Sequence, residues 1–77
     1  MITYRERRKI WGARLSKLDR QGTIKLLPQK EQRDLALIRD YYFGDLGFEK
    51  IASMYGYKGK SSLIVAVMNI NKKWLNK

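Results

Sequence analysis

The sequence predicts a small all-α fold, a three- to four-helix bundle forming a single helical domain over residues 1–77. Apolar residues recur at helical spacing in several separated stretches. Residues that start and stop helices bracket those stretches. With 77 residues, 44% of them hydrophobic and 12% aromatic, the chain can fill one modest core and has no room for a second.

Thr3-Tyr4-Arg5-Glu6 has the form of a capping box, with the Thr3 hydroxyl serving one free amide and the Glu6 side chain reaching back to another. The helix it opens should run to about Asp19, with Tyr4, Trp11, Leu15 and Leu18 on its inner face and Ile10 beside them. Arg5, Arg7, Arg8, Lys9, Arg14 and Lys17 must then point to water or to a partner. Gly12 weakens the interior of this helix by about 1 kcal/mol, so residues 1–9 have a second possible state, a flexible basic arm.

Gln21-Gly22 should end the first helix, and residues 23–27 read as a packed extended segment in which Leu26 and Leu27 cover the core edge. Pro28 suits the first turn of the next helix, where its missing donor does no harm. That helix, about residues 29–43, carries Leu35, Ile38, Tyr41 and Tyr42 on one side with Leu37 flanking, and reads as the brace of the domain. Residues 44–47, Gly-Asp-Leu-Gly, terminate it and begin another helix. Tyr41, Tyr42, Phe43 and Phe48 crowd that junction and are assigned to core packing rather than to base stacking.

Residues 48–55 form the next expected helix, burying Phe48, Ile51, Ala52 and Tyr55, and Gly56 can take positive φ where the chain leaves it. Tyr57 follows as an apolar anchor. After residues 56–60, Ser61 or Ser62 can cap a last helix over about 61–75, with Ile64, Val67, Met68 and Trp74 as its buried side. Trp74 reads as a lid on the core rather than a stacking platform.

The net charge is +10 and it is segregated. Residues 1–20 carry seven basic and two acidic side chains, residues 21–57 carry five of each, and residues 58–77 carry five lysines and no acid. Basic ends around a neutral middle favour a polyanionic partner, since each Lys or Arg that meets a phosphate releases counterions. With neither Cys nor His, the chain has no disulfide, thiolate nucleophile, imidazole base or zinc-finger ligand set. Its carboxylates, Glu6, Asp19, Glu31, Asp34, Asp40, Asp45 and Glu49, are scattered, and no phosphate-cradling glycine motif is present. The expectation is a non-enzyme without cofactor or metal. The first residues carry a basic region without an apolar run after it, and the longest apolar run, 63–68, is too short to span a bilayer. A cytoplasmic location without membrane partners is expected.

Residues 48–74 resemble the helix-turn-helix domains of small bacterial, phage and plasmid DNA-binding proteins, of the form I-A-x-x-x-G-Y … S … V. Ile51 and Ala52 match the apolar-Ala pair, Gly56 and Tyr57 the turn glycine and the apolar residue after it, Ser61 or Ser62 the hydroxyl that opens the recognition helix, and Ile64 and Val67 its buried pair. In the tightest form of the motif that pair would fall earlier, at Ser62 and Val65, so Lys58-Gly59-Lys60 must make a slightly lengthened turn. The resemblance implies a non-catalytic DNA-binding protein, a small transcriptional regulator or accessory factor.

On that basis the expected DNA-binding residues are Arg5, Arg7, Arg8, Lys9, Lys58, Lys60, Ser61, Ser62, Val65, Asn69, Lys72 and Lys73. The amino-terminal turn of the last helix, with Lys58, Lys60, Ser61 and Ser62, suits phosphate. Ser62, Val65, Ala66 and Asn69 lie opposite the buried stripe, where Asn can pair with adenine and small apolar groups can meet a thymine methyl. Lys72 and Lys73 stabilise the carboxyl end of that helix and can also touch phosphates. A homodimer would extend such a contact to two half-sites. Two other partners are compatible with the composition: an acidic protein, bound by an inhibitor or adaptor from a mobile element, and structured RNA.

Overall fold

The computed structural model describes residues 3–75. It is all-α, with no strand among the described residues: α1 (Tyr4–Gln21), a 3₁₀ turn (Ile24–Leu26), α2 (Gln29–Phe43), α3 (Phe48–Met54) and α4 (Lys60–Leu75). The chain divides into two compact units, Met1–Ala36 and Leu37–Lys77, with the boundary inside α2. No helix among the described residues is long and apolar enough to cross a membrane.

In the first unit, the Thr3 hydroxyl accepts from the Glu6 amide at 3.2 Å and donates to the Glu6 carboxylate at 3.4 Å. The cap therefore forms, with Glu6 meeting the hydroxyl. Residues 4–9 take the helical alternative and belong to α1; Met1 and Ile2 lie outside the described residues. Trp11 and Leu15 are buried, whereas Tyr4, in line with them at the first residue of the helix, is 48% exposed. Tyr4 thus does not join the core, and the buried part of this face starts only at Trp11. α1 runs two residues past Asp19 and ends in a Schellman arrangement: Gly22, at φ 65°, donates to the Asp19 carbonyl, and Thr23 donates to Leu18.

Residues 23–27 are not extended. Leu26 donates to the Thr23 carbonyl to make the 3₁₀ turn, and the Gln32 amide closes it by donating to the carbonyls of Leu27, at 2.8 Å, and Lys25, at 3.4 Å. The turn aims Leu26 outward, 82% exposed, so it does not cover the core edge, and Leu27 is only half-buried. Pro28 precedes α2 rather than joining its first turn; its carbonyl accepts from Glu31 and Gln32.

In the second unit α2 supplies buried Leu37, Ile38 and Tyr42. α2 stops before Gly44, a position that requires glycine because a side chain there would meet the Asp40 carbonyl at 2.6 Å. The aromatic junction packs as a cluster: Tyr41 stacks on Phe48, ring centres 4.8 Å apart, and stands edge-on to Tyr42 at 4.9 Å. Gly47 opens α3, on which Ile51 and Ala52 are buried while Phe48 and Tyr55 are half-buried. The Tyr55 hydroxyl donates to the Asp40 carboxylate at 2.7 Å, tying the end of α3 to α2. α3 and α4 pack against each other.

The inner face of α4 differs from the expected one. Leu63, Val67, Ile70 and Asn71 are buried and Trp74 is half-buried, while Ile64 is only half-buried and Met68 is 52% exposed. Leu63, Val67, Ile70 and Trp74 form a stripe at helical spacing, and a polar contact lets Asn71 join it. Asn71 donates to the Tyr42 hydroxyl at 3.2 Å within the core, and a satisfied amide can occupy an interior position that a hydropathy pattern assigns to Met or Ile.

Candidate nucleic-acid interface

The site begins where α3 stops. Gly56, at φ 80°, donates to the Ser53 carbonyl and Tyr57 donates to Ala52 at 2.8 Å. This is the same closure that ends α1, and only glycine adopts that φ without cost. It turns the chain sharply through residues 57–59 into α4. The helix starts at Lys60, with the Gly59 carbonyl accepting from Leu63 at 3.1 Å. Ser61 and Ser62 are therefore inside the first turn and do not cap the helix, as the sequence had suggested they would.

Gly59 has no side chain with which to cap, so the first amides of α4 have neither an intrahelical partner nor a cap from that residue. No acid lies in that first turn, and no acidic residue follows Glu49 in the chain. The positive end of the helix dipole thus adds to Lys58 and Lys60 with no acid in its own turn to offset it. The Lys60 ammonium sits 5.4 Å from the centre of the Phe48 ring. That ring is already stacked on Tyr41, so the cation is held over an aromatic pair at the start of the helix.

Beside this start lies an open groove of about 440 Å³ lined by Tyr57, Ser61, Ser62, Val65, Ala66 and Asn69. Residues 62, 65, 66 and 69 share one face of a helix by their spacing. Val65 is 57% exposed, Ser61, Ser62 and Asn69 are exposed, and Ala66 is half-buried. The expected base-reading residues are therefore gathered on one surface with the two serines at its amino-terminal end. Tyr57, expected as an apolar anchor after the turn, is half-buried and also lines this groove. No local pattern marks that outcome, because it depends on how the Gly56 turn swings the ring.

Lys58 and Lys60 are exposed at the turn and at the first helical residue. Lys72 and Lys73 are exposed in the last turn of α4, about 18 Å along the axis from Lys60 to Lys72 at 1.5 Å per residue. Arg5, Arg8 and Lys9 are exposed on α1 and Arg7 is half-buried; these belong to the first compact unit. The second unit alone therefore offers an uncharged groove with a cationic residue at its start and lysines at the far end of the same helix.

Comparison of the chain with protein-family models, with curated proteins and with solved structures yields no match.

Proposed function

We propose that this is a non-catalytic protein that binds double-stranded DNA, a small transcriptional regulator or accessory factor, with α3 and α4 acting as a helix-turn-helix unit. The observation that carries the proposal is the α4 groove: Ser61, Ser62, Val65 and Asn69 on one face, cations at both ends of the helix, and no acidic residue beyond Glu49. A helix of this kind fits the major groove, where uncharged polar and apolar groups meet base edges while lysines and free amides meet phosphates. The basic residues of α1, Arg5, Arg7, Arg8 and Lys9, supply further phosphate contacts, and the single chain grips one half-site, or two as a homodimer.

Fluorescence anisotropy with a random-sequence duplex is the direct test. Binding at about 50 mM salt that weakens log-linearly as salt rises is expected. No detectable binding at that salt sinks the proposal, and a stoichiometric protein partner that survives nuclease treatment in a pull-down would assign the basic surface to an acidic protein instead. Structured RNA should compete poorly, because the A-form major groove is too narrow to admit α4.

A further inference from the structure

Resting on that DNA-binding function, we infer that the α4 groove reads A·T base pairs, through thymine methyl groups and the major-groove edge of adenine. The lining carries the inference. Guanine is read in the major groove chiefly by Arg or Lys, and cytosine by an acidic acceptor. The groove of Tyr57, Ser61, Ser62, Val65, Ala66 and Asn69 contains none of these. Its serines can bond either base pair, and the rest of the lining matches A·T. Val65, 57% exposed, is a branched aliphatic group facing water with Ala66 next to it, and the thymine methyl is the one apolar group that B-DNA displays in its major groove. Asn69 lies one helical turn further on, and its amide offers the donor and acceptor that adenine pairs with in bidentate fashion.

Spacing fits the same reading frame. From Ser62 to Asn69 the helix advances about 10 Å, which spans about three base-pair steps of 3.4 Å. The cations stand outside this span or are otherwise held: Lys58 precedes the helix, Lys60 rests over Phe48, and Lys72 and Lys73 lie in the last turn. Charge is thus directed to the backbone, and the bases meet only neutral side chains.

The test uses anisotropy with the full chain and short duplexes of equal length: one of mixed-order A·T pairs, the same duplex with uracil in place of thymine, and one of G·C pairs. The A·T duplex should bind about tenfold more tightly than the G·C duplex. Replacing thymine by uracil removes only the methyl and should weaken binding about threefold. Val65→Ala should abolish the thymine–uracil difference, and Asn69→Ala should reduce the A·T preference, each with an unchanged helical circular dichroism spectrum and salt slope. Equal affinity of the wild-type chain for thymine and uracil duplexes overturns the inference as stated, and an A·T preference that then survives Asn69→Ala comes from groove shape. Equal, measurable affinity for all the duplexes overturns it while leaving DNA binding intact. No binding to any of them removes both.

Discussion

α1 and α4 are of similar length, 18 and 16 residues, yet their amino termini are treated in opposite ways. At α1, Thr3 accepts from the Glu6 amide, and Glu6 places a negative charge beside the positive end of the helix dipole. At α4, the preceding residue is Gly59, the first is Lys60, and the first turn has no acid. A helix optimised only for stability would begin as α1 does, because a capping side chain contributes about 1 kcal/mol and a nearby acid about 0.3–1 kcal/mol. α4 forgoes both. The electrostatic need that α1 satisfies within itself is left unmet by the first turn of α4, which is the feature the proposed contact with phosphate uses.

The largest effects should separate the two faces of α4. Leu63 is fully buried and Val65 is 57% exposed. Leu63→Ala is expected to destabilise the protein by about 2–5 kcal/mol in denaturant titration, and Val65→Ala by no more than about 0.5 kcal/mol. A large loss at Val65 would mean that the groove face is structural, and the contrast with α1 would lose its functional meaning.

Next in size is the charge at the open terminus. Replacing Lys58 and Lys60 together by Ala should weaken binding to every duplex about tenfold or more at moderate salt, and should reduce the salt slope by about 2. Replacing Arg5 and Lys9 on α1 should reduce the affinity less, since α1 offers charge without open amides. Equal losses from the two pairs would erase the distinction between the helices as binding elements.

The two helix ends closed by glycine provide a comparison in which no difference is expected. Gly22 and Gly56 both have positive φ, and a methyl group at either would meet no atom within 4 Å. Ala at each should therefore cost about 1–2 kcal/mol for the backbone conformation alone, read as a lowered denaturation midpoint. A smaller effect is expected at the caps themselves: Thr3→Ala should cost about 1 kcal/mol, whereas Ser61→Ala, in the first turn of α4 without a capping role, should stay within about 0.5 kcal/mol.

These local devices are what the sequence makes legible. Thr3 with Glu6, Gly22, Gly56 and the break at Gly44 each act over a few residues, so their types and spacing suffice to locate helix ends. The features that escaped depend on distant partners. Asn71 enters the core where Tyr42, far away in the chain, accepts its hydrogen bond, beside a buried stripe that runs through Leu63 and Ile70 rather than Ile64 and Met68. Gln32 reaches back to Lys25 and Leu27, which turns an expected extended segment into a 3₁₀ turn with Leu26 outside. The groove was legible in Ser62, Val65, Ala66 and Asn69 because these residues are polar or small and share a helical face. Tyr57 was not, since its ring direction is set by the turn and not by its own hydropathy.

The smallest expected effect discriminates best, because its two readouts should move in opposite directions. Gly59 has no positive φ and nothing within 4 Å of the place a Cβ would occupy, so Asp can be accommodated there. In Gly59→Asp the new carboxylate can accept from the amides of the first turn of α4 and sit at the positive end of its dipole. Stability should rise by a few tenths of a kcal/mol from the cap, and up to about 1 kcal/mol with the dipole included. Duplex affinity should fall, because the carboxylate occupies the amides that a phosphate would use and repels the backbone. If α4 were left uncapped for no reason, a neutral cap, Gly59→Asn, would raise stability and leave binding unchanged. If the turn needed Gly59 for its geometry, stability and binding would fall together. A terminus whose amides meet phosphate predicts a gain in one and a loss in the other for Gly59→Asn as well as Gly59→Asp, with thermal denaturation and anisotropy measured on the same preparation.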